Sequence, residues 1–132
     1  MKKKKDKSLV NEPTRSELEI LQVLWQNGPS TARFVNDYLN KEKREVIYMS
    51  TLKLMQIMVE KKLLKKDDSK MPHVYRAAVA EAKTKGALLD KVVENLFNGS
   101  AAGLMMQLLG NKKISPDEME QYKELIRRID EK

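Results

Sequence analysis

The sequence has no cysteine, one histidine and only 5% aromatic residues. Without cysteine, disulfides, thiolate metal sites and thiol nucleophiles are excluded. The single histidine, His73, has no metal-ligand spacing or carboxylate pattern near it, so we expect it in a strand. The sequence also lacks a phosphate-binding glycine loop and a catalytic dyad. It therefore predicts a protein that is not an enzyme and that has no cofactor or metal site.

Long apolar runs are missing as well. No stretch approaches the roughly 20 apolar residues that a helix needs to cross a bilayer. The lysine-rich start, Met1–Lys5, is not followed by the apolar segment of a secretory signal. These features predict a cytoplasmic protein without membrane insertion.

Positive charge is abundant and unevenly distributed, and the formal net charge is +7. Residues 1–77 contain 17 lysines and arginines against 10 acidic residues, whereas residues 78–132 contain 9 of each. The whole excess therefore lies in the first part of the chain. This distribution favours contact of that part with a polyanion such as nucleic acid.

A polar, lysine-rich stretch opens the chain, and helix signals follow it. Residues 1–12 show no periodicity and are predicted to form a disordered tail. Thr14 and Glu17 then match a capping box, in which a hydroxyl and a carboxylate satisfy free backbone donors at a helix start. The helix is predicted to end at Gly28, because glycine tolerates the left-handed conformation of a helix cap.

Residues 13–78 are predicted to form one DNA-binding domain. A second helix follows the first, and the spacing of apolar residues predicts a third from about Ser50 to Lys62. Two short strands around a polar turn at residues 67–70 predict a β-hairpin. Three helices followed by a small basic hairpin are typical of a winged helix-turn-helix.

Residues 79–132 are predicted to be entirely helical and to form a dimerisation domain. The segment is short for a self-contained core, so we expect a second copy of the chain to cover its apolar faces. The alternative is that these helices fold back onto the N-terminal domain of the same chain. The residues predicted to form the dimer interface are Leu89, Val92, Val93, Leu96, Phe97, Leu104, Leu108, Met119, Tyr122, Ile126 and Ile129.

The start of the third helix supplies the candidate DNA-binding residues, since a helix-turn-helix places that end in the major groove. Hydroxyls and Lys53 can bond to bases or phosphates, and apolar side chains can contact thymine methyl groups. For Ser50, a role as the helix cap is the alternative. Lysines on the hairpin are expected to hold an adjacent phosphate backbone. The candidates are Tyr48, Met49, Ser50, Thr51, Leu52 and Lys53 on the helix, and Lys65, Lys66 and Lys70 on the hairpin.

From about Thr14 to its end, the sequence resembles the penicillinase and methicillin-resistance repressor family. The resemblance implies a homodimeric repressor that binds a palindromic operator in double-stranded DNA through two winged helices. It also implies that Ile57 lies on the operator-binding face. The segments that carry the resemblance, by their order and spacing, are Ser16–Trp25, Tyr48–Leu64, Val74–Tyr75, Phe97–Ser100 and Ile114–Met119.

Several positions depart from the family pattern. Family members often have Lys at the position of Met49, Thr at that of Lys53 and Arg at that of Ile57. The glycine after the third helix is replaced by Lys62, and a basic wing residue is replaced by Met71. The predicted fold and DNA binding survive these changes, but the operator sequence of the family is not carried over.

The resemblance also implies a mode of inactivation. Family members lose activity when a sensor-linked protease cuts the short helix of the dimerisation segment. The matching bond lies between Gln107 and Leu108, where better-known relatives have Asn-Phe. A winged-helix module that binds a protein rather than DNA is the competing hypothesis for function, and the apolar Met49 and Leu52 favour it.

Overall fold

The structure is a computed structural model that describes residues 12–111 and 115–130. The predicted tail over residues 1–12 therefore lies outside the described residues, except for Glu12. The chain divides into two compact units, of which the N-terminal unit ends at Leu88 and the C-terminal unit begins at Leu89. The elements are α1 (Arg15–Asn27), β1 (Ser30–Thr31), α2 (Ala32–Glu42), α3 (Tyr48–Glu60), β2 (Leu64–Asp67), β3 (Val74–Ala77), α4 (Glu81–Phe97), α5 (Ala101–Asn111) and α6 (Pro116–Asp130).

The fold is mainly helical with one small antiparallel sheet, which confirms the predicted class of a winged helix followed by a helical segment. The predicted hairpin is formed by β2 and β3. A third strand, β1, completes the sheet in the order β1-β3-β2 and pairs Ser30 with Tyr75. The sequence did not predict β1, because a strand of two residues is too short to show a period of two.

The predicted signals at both ends of α1 are confirmed. The backbone N–H of Thr14 donates to Glu17 Oε1 (2.9 Å), and the N–H of Glu17 donates to Thr14 Oγ1 (3.2 Å). At the other end Gly28 closes the helix with φ +82° and ψ −174°, a positive-φ conformation different from the left-handed helical one that was predicted, and its N–H donates to the carbonyl of Leu24. Local chemistry therefore sets the length of this helix.

The core of the protein lies in the N-terminal unit. It joins the three helices α1–α3 to the hairpin, as the winged-helix prediction requires. The indole Nε1 of Trp25 donates to the carbonyl of Val79 (3.0 Å), which fixes the chain after β3 against α1. The buried core residues are Ile20, Leu21, Val23, Leu24, Ala32, Val35, Leu39, Met55, Met58, Leu63, Leu64 and Tyr75.

The helix α3 ends two residues earlier than the sequence predicted, at Glu60 instead of Lys62. The N–H of Lys62 donates to the carbonyl of Val59, and the N–H of Leu63 donates to the carbonyl of Met58. These two bonds form a Schellman motif, which places Lys62 in the left-handed region with φ +68°. A lysine thus occupies a position that glycine fills with less strain.

In the C-terminal unit, serine side chains cap the starts of two helices. The N–H of Gly103 donates to Ser100 Oγ (2.9 Å) at the start of α5. At the start of α6, the N–H of Glu118 donates to Ser115 Oγ (3.2 Å), and the N–H of Ser115 donates back to the Glu118 carboxylate. The helix α5 continues through Gly110 to Asn111.

Candidate nucleic-acid interface

The first turn of α3 begins at Tyr48, with Ile47 as its N-cap and no side-chain cap hydrogen bond. Ser50 lies inside this first turn, and its N–H donates to the carbonyl of Ile47 (3.1 Å). The interpretation of Ser50 as the helix cap is therefore wrong. Its side chain is exposed and free of the capping role.

The helix α3 has one buried face and one exposed face. Thr51, Met55 and Met58 are buried against the rest of the unit. The exposed side chains include the predicted candidates Met49, Ser50, Lys53 and Ile57, together with Gln56 and Glu60, whereas Tyr48 and Leu52 are half-buried. An amphipathic helix of this kind can present its outer face to a partner without disturbing the core.

The structure corrects the candidate Thr51, which is only 2% exposed. Its Oγ1 accepts a hydrogen bond from Nδ2 of Asn36 on α2 (2.7 Å). Because a buried hydroxyl cannot reach DNA, Thr51 is not a binding residue. It belongs instead to the contact that fixes α3 against α2.

Two asparagines of α2 hold the connection that leads into α3. Nδ2 of Asn36 also donates to the carbonyl of Val46 (3.0 Å). Asn40 donates to the same carbonyl (2.8 Å), and its Oδ1 accepts from the N–H of Val46 (3.1 Å). These bonds satisfy both backbone polar groups of Val46, two residues before α3 begins.

The two lysines at the centre of β2 point to opposite faces of the hairpin. Lys66 pairs with Tyr75 and Lys65 pairs with Arg76, and residues paired across an antiparallel ladder share a face. Lys70 lies in the connection between the strands, and all three lysines are exposed. The predicted cluster is therefore divided, with Lys66 on the same side as α3.

The turn after β2 is held by Asp67 and Ser69. The hydroxyl and the N–H of Ser69 donate to Asp67 Oδ1, at 2.6 and 3.0 Å. These two bonds lower the pKa of the Asp67 carboxyl below its ordinary value, and the nearby Lys70 and Arg76 act in the same direction. The carboxylate therefore stays charged, and keeps both hydrogen bonds, through the neutral pH range.

A groove of about 300 Å³ separates α3 from the hairpin, with the start of α2 at its end. We call it the α3–hairpin groove. The side chains that give it chemical character are Arg33 from α2, Tyr48 and Gln56 from α3, and Lys66 and His73 from the hairpin. The guanidinium of Arg33 lies 4.1 Å from the centre of the Tyr48 ring, a cation–π contact.

Arg33, Gln56 and His73 were not predicted from the sequence to be parts of this surface. His73 was expected in a strand, but it directly precedes β3. The only available signal for Arg33 was a basic residue just after a helix cap, Thr31, whose Oγ1 accepts from the N–H of Phe34 (3.1 Å). Contacts between α2 and α3 are tertiary, so no local pattern of residues could reveal them.

The predicted dimer residues lie on three helices. Leu89, Val92, Leu96 and Leu108 are exposed, while Val93, Phe97, Leu104, Met119 and Tyr122 are half-buried. The side chains of Ile126 and Ile129 lie outside the described part of the chain. Met106 and Leu125 add exposed apolar side chains that the sequence analysis missed. The Gln107–Leu108 bond lies inside α5, and both residues are exposed.

Residues 12–111 and 115–130 contain neither a candidate metal site nor a candidate membrane span. No group of three or more histidine, aspartate or glutamate side chains there is placed to hold a metal ion. No helix in these ranges combines the length and the apolar character needed to span a membrane.

The fold defines the class: a winged-helix unit followed by helices. The model of the penicillinase repressor family matches residues 13–128. The chain therefore belongs to the penicillinase repressor family, whose members are regulatory repressors and not enzymes. This confirms the resemblance found in the sequence. No curated protein matches the chain.

Proposed function

We propose that the protein is a homodimeric transcriptional repressor that binds a palindromic operator through its winged helix. The observation that carries the proposal is the exposed face of α3 beside a basic hairpin. Both lie in the part of the chain that holds the whole charge excess of +7. Lysines and arginines that neutralise phosphates supply most of the sequence-independent affinity for DNA.

The exposed face of α3 offers groups suited to base edges. A major groove about 12 Å wide admits a helix, and there glutamine can bond to adenine and lysine to guanine. Gln56 and Lys53 are the exposed side chains with this chemistry. Met49 offers an apolar contact to a thymine methyl group.

The C-terminal unit supports the homodimer. Its exposed leucines, among them Leu89 and Leu96, lose contact with water if a second copy covers them. A two-fold dimer presents two α3 helices, and a palindromic operator has the same symmetry. Dimerisation also doubles the number of phosphates that one molecule contacts.

Cleavage between Gln107 and Leu108 would release the repressor, because it separates α4 from α6 in the chain and so divides the residues proposed to form the dimer interface. Since the bond lies within a helix, the protease needs α5 to unfold locally before it can bind the chain. The intact mass of the protein from cells before and after induction tests this step. A full-length chain in cells that have lost repression would contradict it.

Size-exclusion chromatography with light scattering, followed by a salt titration of binding to labelled promoter DNA, tests the main proposal. We expect a dimer whose affinity falls steeply with salt and which prefers its own promoter to random competitor DNA. A monomer, or a dimer without DNA preference at low salt, would overturn the proposal.

The competing hypothesis is a protein-interaction module, and it is favoured by apolar exposure beside α3. Ile47 is 71% exposed, Met49 63% and Met71 84%. Apolar contacts do not weaken with rising salt, since no counterions are released when they form. The same titration therefore separates a protein partner from DNA.

A further inference from the structure

The α3–hairpin groove carries positive charge that base contacts by α3 do not use. We infer that this groove holds the sugar–phosphate backbone of DNA, with Arg33 as its principal phosphate contact. The inference rests on the proposed function and identifies how the same site holds its DNA.

The shape of DNA gives the first argument. The major groove is bounded by the two phosphate backbones, and a backbone separates it from the adjoining minor groove. We consider DNA with α3 in its major groove and the hairpin close to the adjoining minor groove. The phosphate backbone that separates these two DNA grooves must then pass between α3 and the hairpin. The α3–hairpin groove occupies this position in the protein.

The lining of the groove gives the second argument. Arg33 and Lys66 are cations, and Gln56 and His73 add hydrogen-bonding groups. No carboxylate belongs to the lining found among the described residues. Nor does any acidic side chain in those residues form an ion pair with Arg33 or Lys66. Within the described part of the chain, the charges of Arg33 and Lys66 are therefore not balanced by an ion pair, and such cations suit a phosphodiester.

The contact between Arg33 and Tyr48 gives the third argument. With its guanidinium 4.1 Å from the ring centre, Arg33 rests on the first residue of α3. Stacking on a ring leaves the planar fork of N–H donors available at its edge, and this fork matches two phosphate oxygens. Because the side chain is already oriented, less rotamer entropy is lost when the backbone binds.

The test compares two exposed arginines of the N-terminal unit. Arg33→Gln removes a cation from the α3–hairpin groove, whereas Arg76→Gln removes the same charge from the other face of the hairpin, beside Lys65. For Arg33→Gln we expect the slope of log K against log salt to fall by about 1.8 for the dimer, the contribution of two phosphates, one for each subunit. Affinity should fall equally for promoter and random DNA, because phosphate contacts carry no sequence information. Arg76→Gln should change the slope less.

DNA with single neutral methylphosphonates locates the contact. For the wild-type protein, neutralising the phosphate in the groove should weaken binding. For Arg33→Gln, the same substitution should have no further effect, since the partner of that phosphate is already absent. The inference would be overturned if each methylphosphonate lowered the affinity of the wild-type protein and of Arg33→Gln by the same factor at every position in the DNA.

The outcomes distinguish this inference from the proposed function. Arg33 and Arg76 are both exposed, so both glutamine variants should keep the fold and unfold close to the wild-type temperature, with a small decrease for Arg33→Gln from its lost contact with Tyr48. If the wild-type protein binds its promoter with a steep salt dependence, and both variants give equal slopes, only the role of Arg33 is overturned. If the wild-type protein shows no salt-dependent DNA binding, both proposals are overturned.

Discussion

The two units differ in where their apolar side chains lie. In the N-terminal unit, every core residue lies between Ile20 and Tyr75, and five of its elements contribute. Between Leu89 and Asp130, none of the residues whose burial is described is buried. The N-terminal unit therefore buries a core with its own residues, although Ile47, Met49 and Met71 stay exposed, whereas no described side chain between Leu89 and Asp130 is buried.

This difference shows that local order and packing have separate causes. Ser100 and Ser115 cap their helices as well as Thr14 caps α1. Capping bonds and helix propensity can thus specify helices in both units, but short helices gain most of their stability from packing of an amphipathic face. We therefore expect the N-terminal unit to depend on its own core and the C-terminal unit to depend on a partner.

The largest expected effect is loss of a core side chain from the N-terminal unit. Leu21 is 0% exposed, and Leu21→Ala should lower the free energy of unfolding by about 2–5 kcal/mol through lost contacts and a cavity. Urea denaturation followed by the fluorescence of Trp25, the single tryptophan, measures the change. The control Leu96→Ala, measured below the dimer dissociation constant, should have much less effect, because Leu96 is 73% exposed. Equal losses from the two variants would contradict the comparison.

The next effect concerns the partner of the C-terminal unit. Leu96→Lys places a charge where a second copy is expected to bury a leucine. Desolvating an unpaired charge costs several kcal/mol, so dimer dissociation should increase by more than about 100-fold. The matched control is Asn95→Lys, which adds the same charge at the neighbouring exposed position outside the predicted interface. Light scattering across a dilution series should show a monomer for Leu96→Lys and a dimer for the control; a dimer in both would place the interface elsewhere.

Features set by neighbours in the sequence were predictable. The capping boxes of α1 and α6, the glycine end of α1 and the hairpin depend on residues a few positions apart, and the structure confirms them. The order of these elements, together with the family pattern, was enough for the class of fold. The positions of individual side chains in the α3–hairpin groove could not be predicted from the sequence.

The remaining errors arise from tertiary contacts. The hydroxyl of Thr51 could contact DNA if it were exposed. In the structure it is buried and bonded to Asn36 on another helix, which the sequence does not reveal. The strand β1 exists because Ser30 and Thr31 find partners on β3, more than forty residues away. The position of Arg33 likewise depends on a contact with another helix, because its guanidinium lies over the ring of Tyr48. Sequence periodicity contains no information about such pairs.

Ion pairs sharpen the contrast at smaller energies. In the N-terminal unit, Nζ of Lys61 lies 2.7 Å from Oε1 of Glu17, whose side chain is 3% exposed. Lys61→Met leaves this carboxylate buried without its cation, and we expect a loss of about 1–3 kcal/mol in unfolding free energy, discounted for the partial exposure of Lys61.

The control is the ion pair between Arg128 and Glu124, which lie four residues apart on α6. The distance between Nε of Arg128 and Oε2 of Glu124 is 3.7 Å. Arg128→Met should cost no more than about 0.5 kcal/mol, because exposed pairs within one helix contribute little. Thermal unfolding of both variants measures the difference. A larger loss from Arg128→Met would show that local pairs, and not contacts between elements, stabilise the molecule.

The smallest effect is a gain, and it compares two helix ends at which a residue other than glycine has a positive φ. Lys62 after α3 has φ +68°, and Asn98 after α4 has φ +51°. A left-handed conformation costs an ordinary L-residue about 1–2 kcal/mol, whereas asparagine adopts it more readily. Lys62→Gly should therefore raise the free energy of unfolding by up to about 1 kcal/mol, since the greater chain entropy of glycine in the unfolded state offsets part of the relief. Asn98→Gly should raise the free energy of unfolding less, because asparagine is less strained than lysine at positive φ. In addition, Asn98 belongs to the C-terminal unit, where no described residue is buried. Urea denaturation of the two variants gives the order, and a larger gain from Asn98→Gly would show that residue strain at Lys62 does not limit the stability of the N-terminal unit.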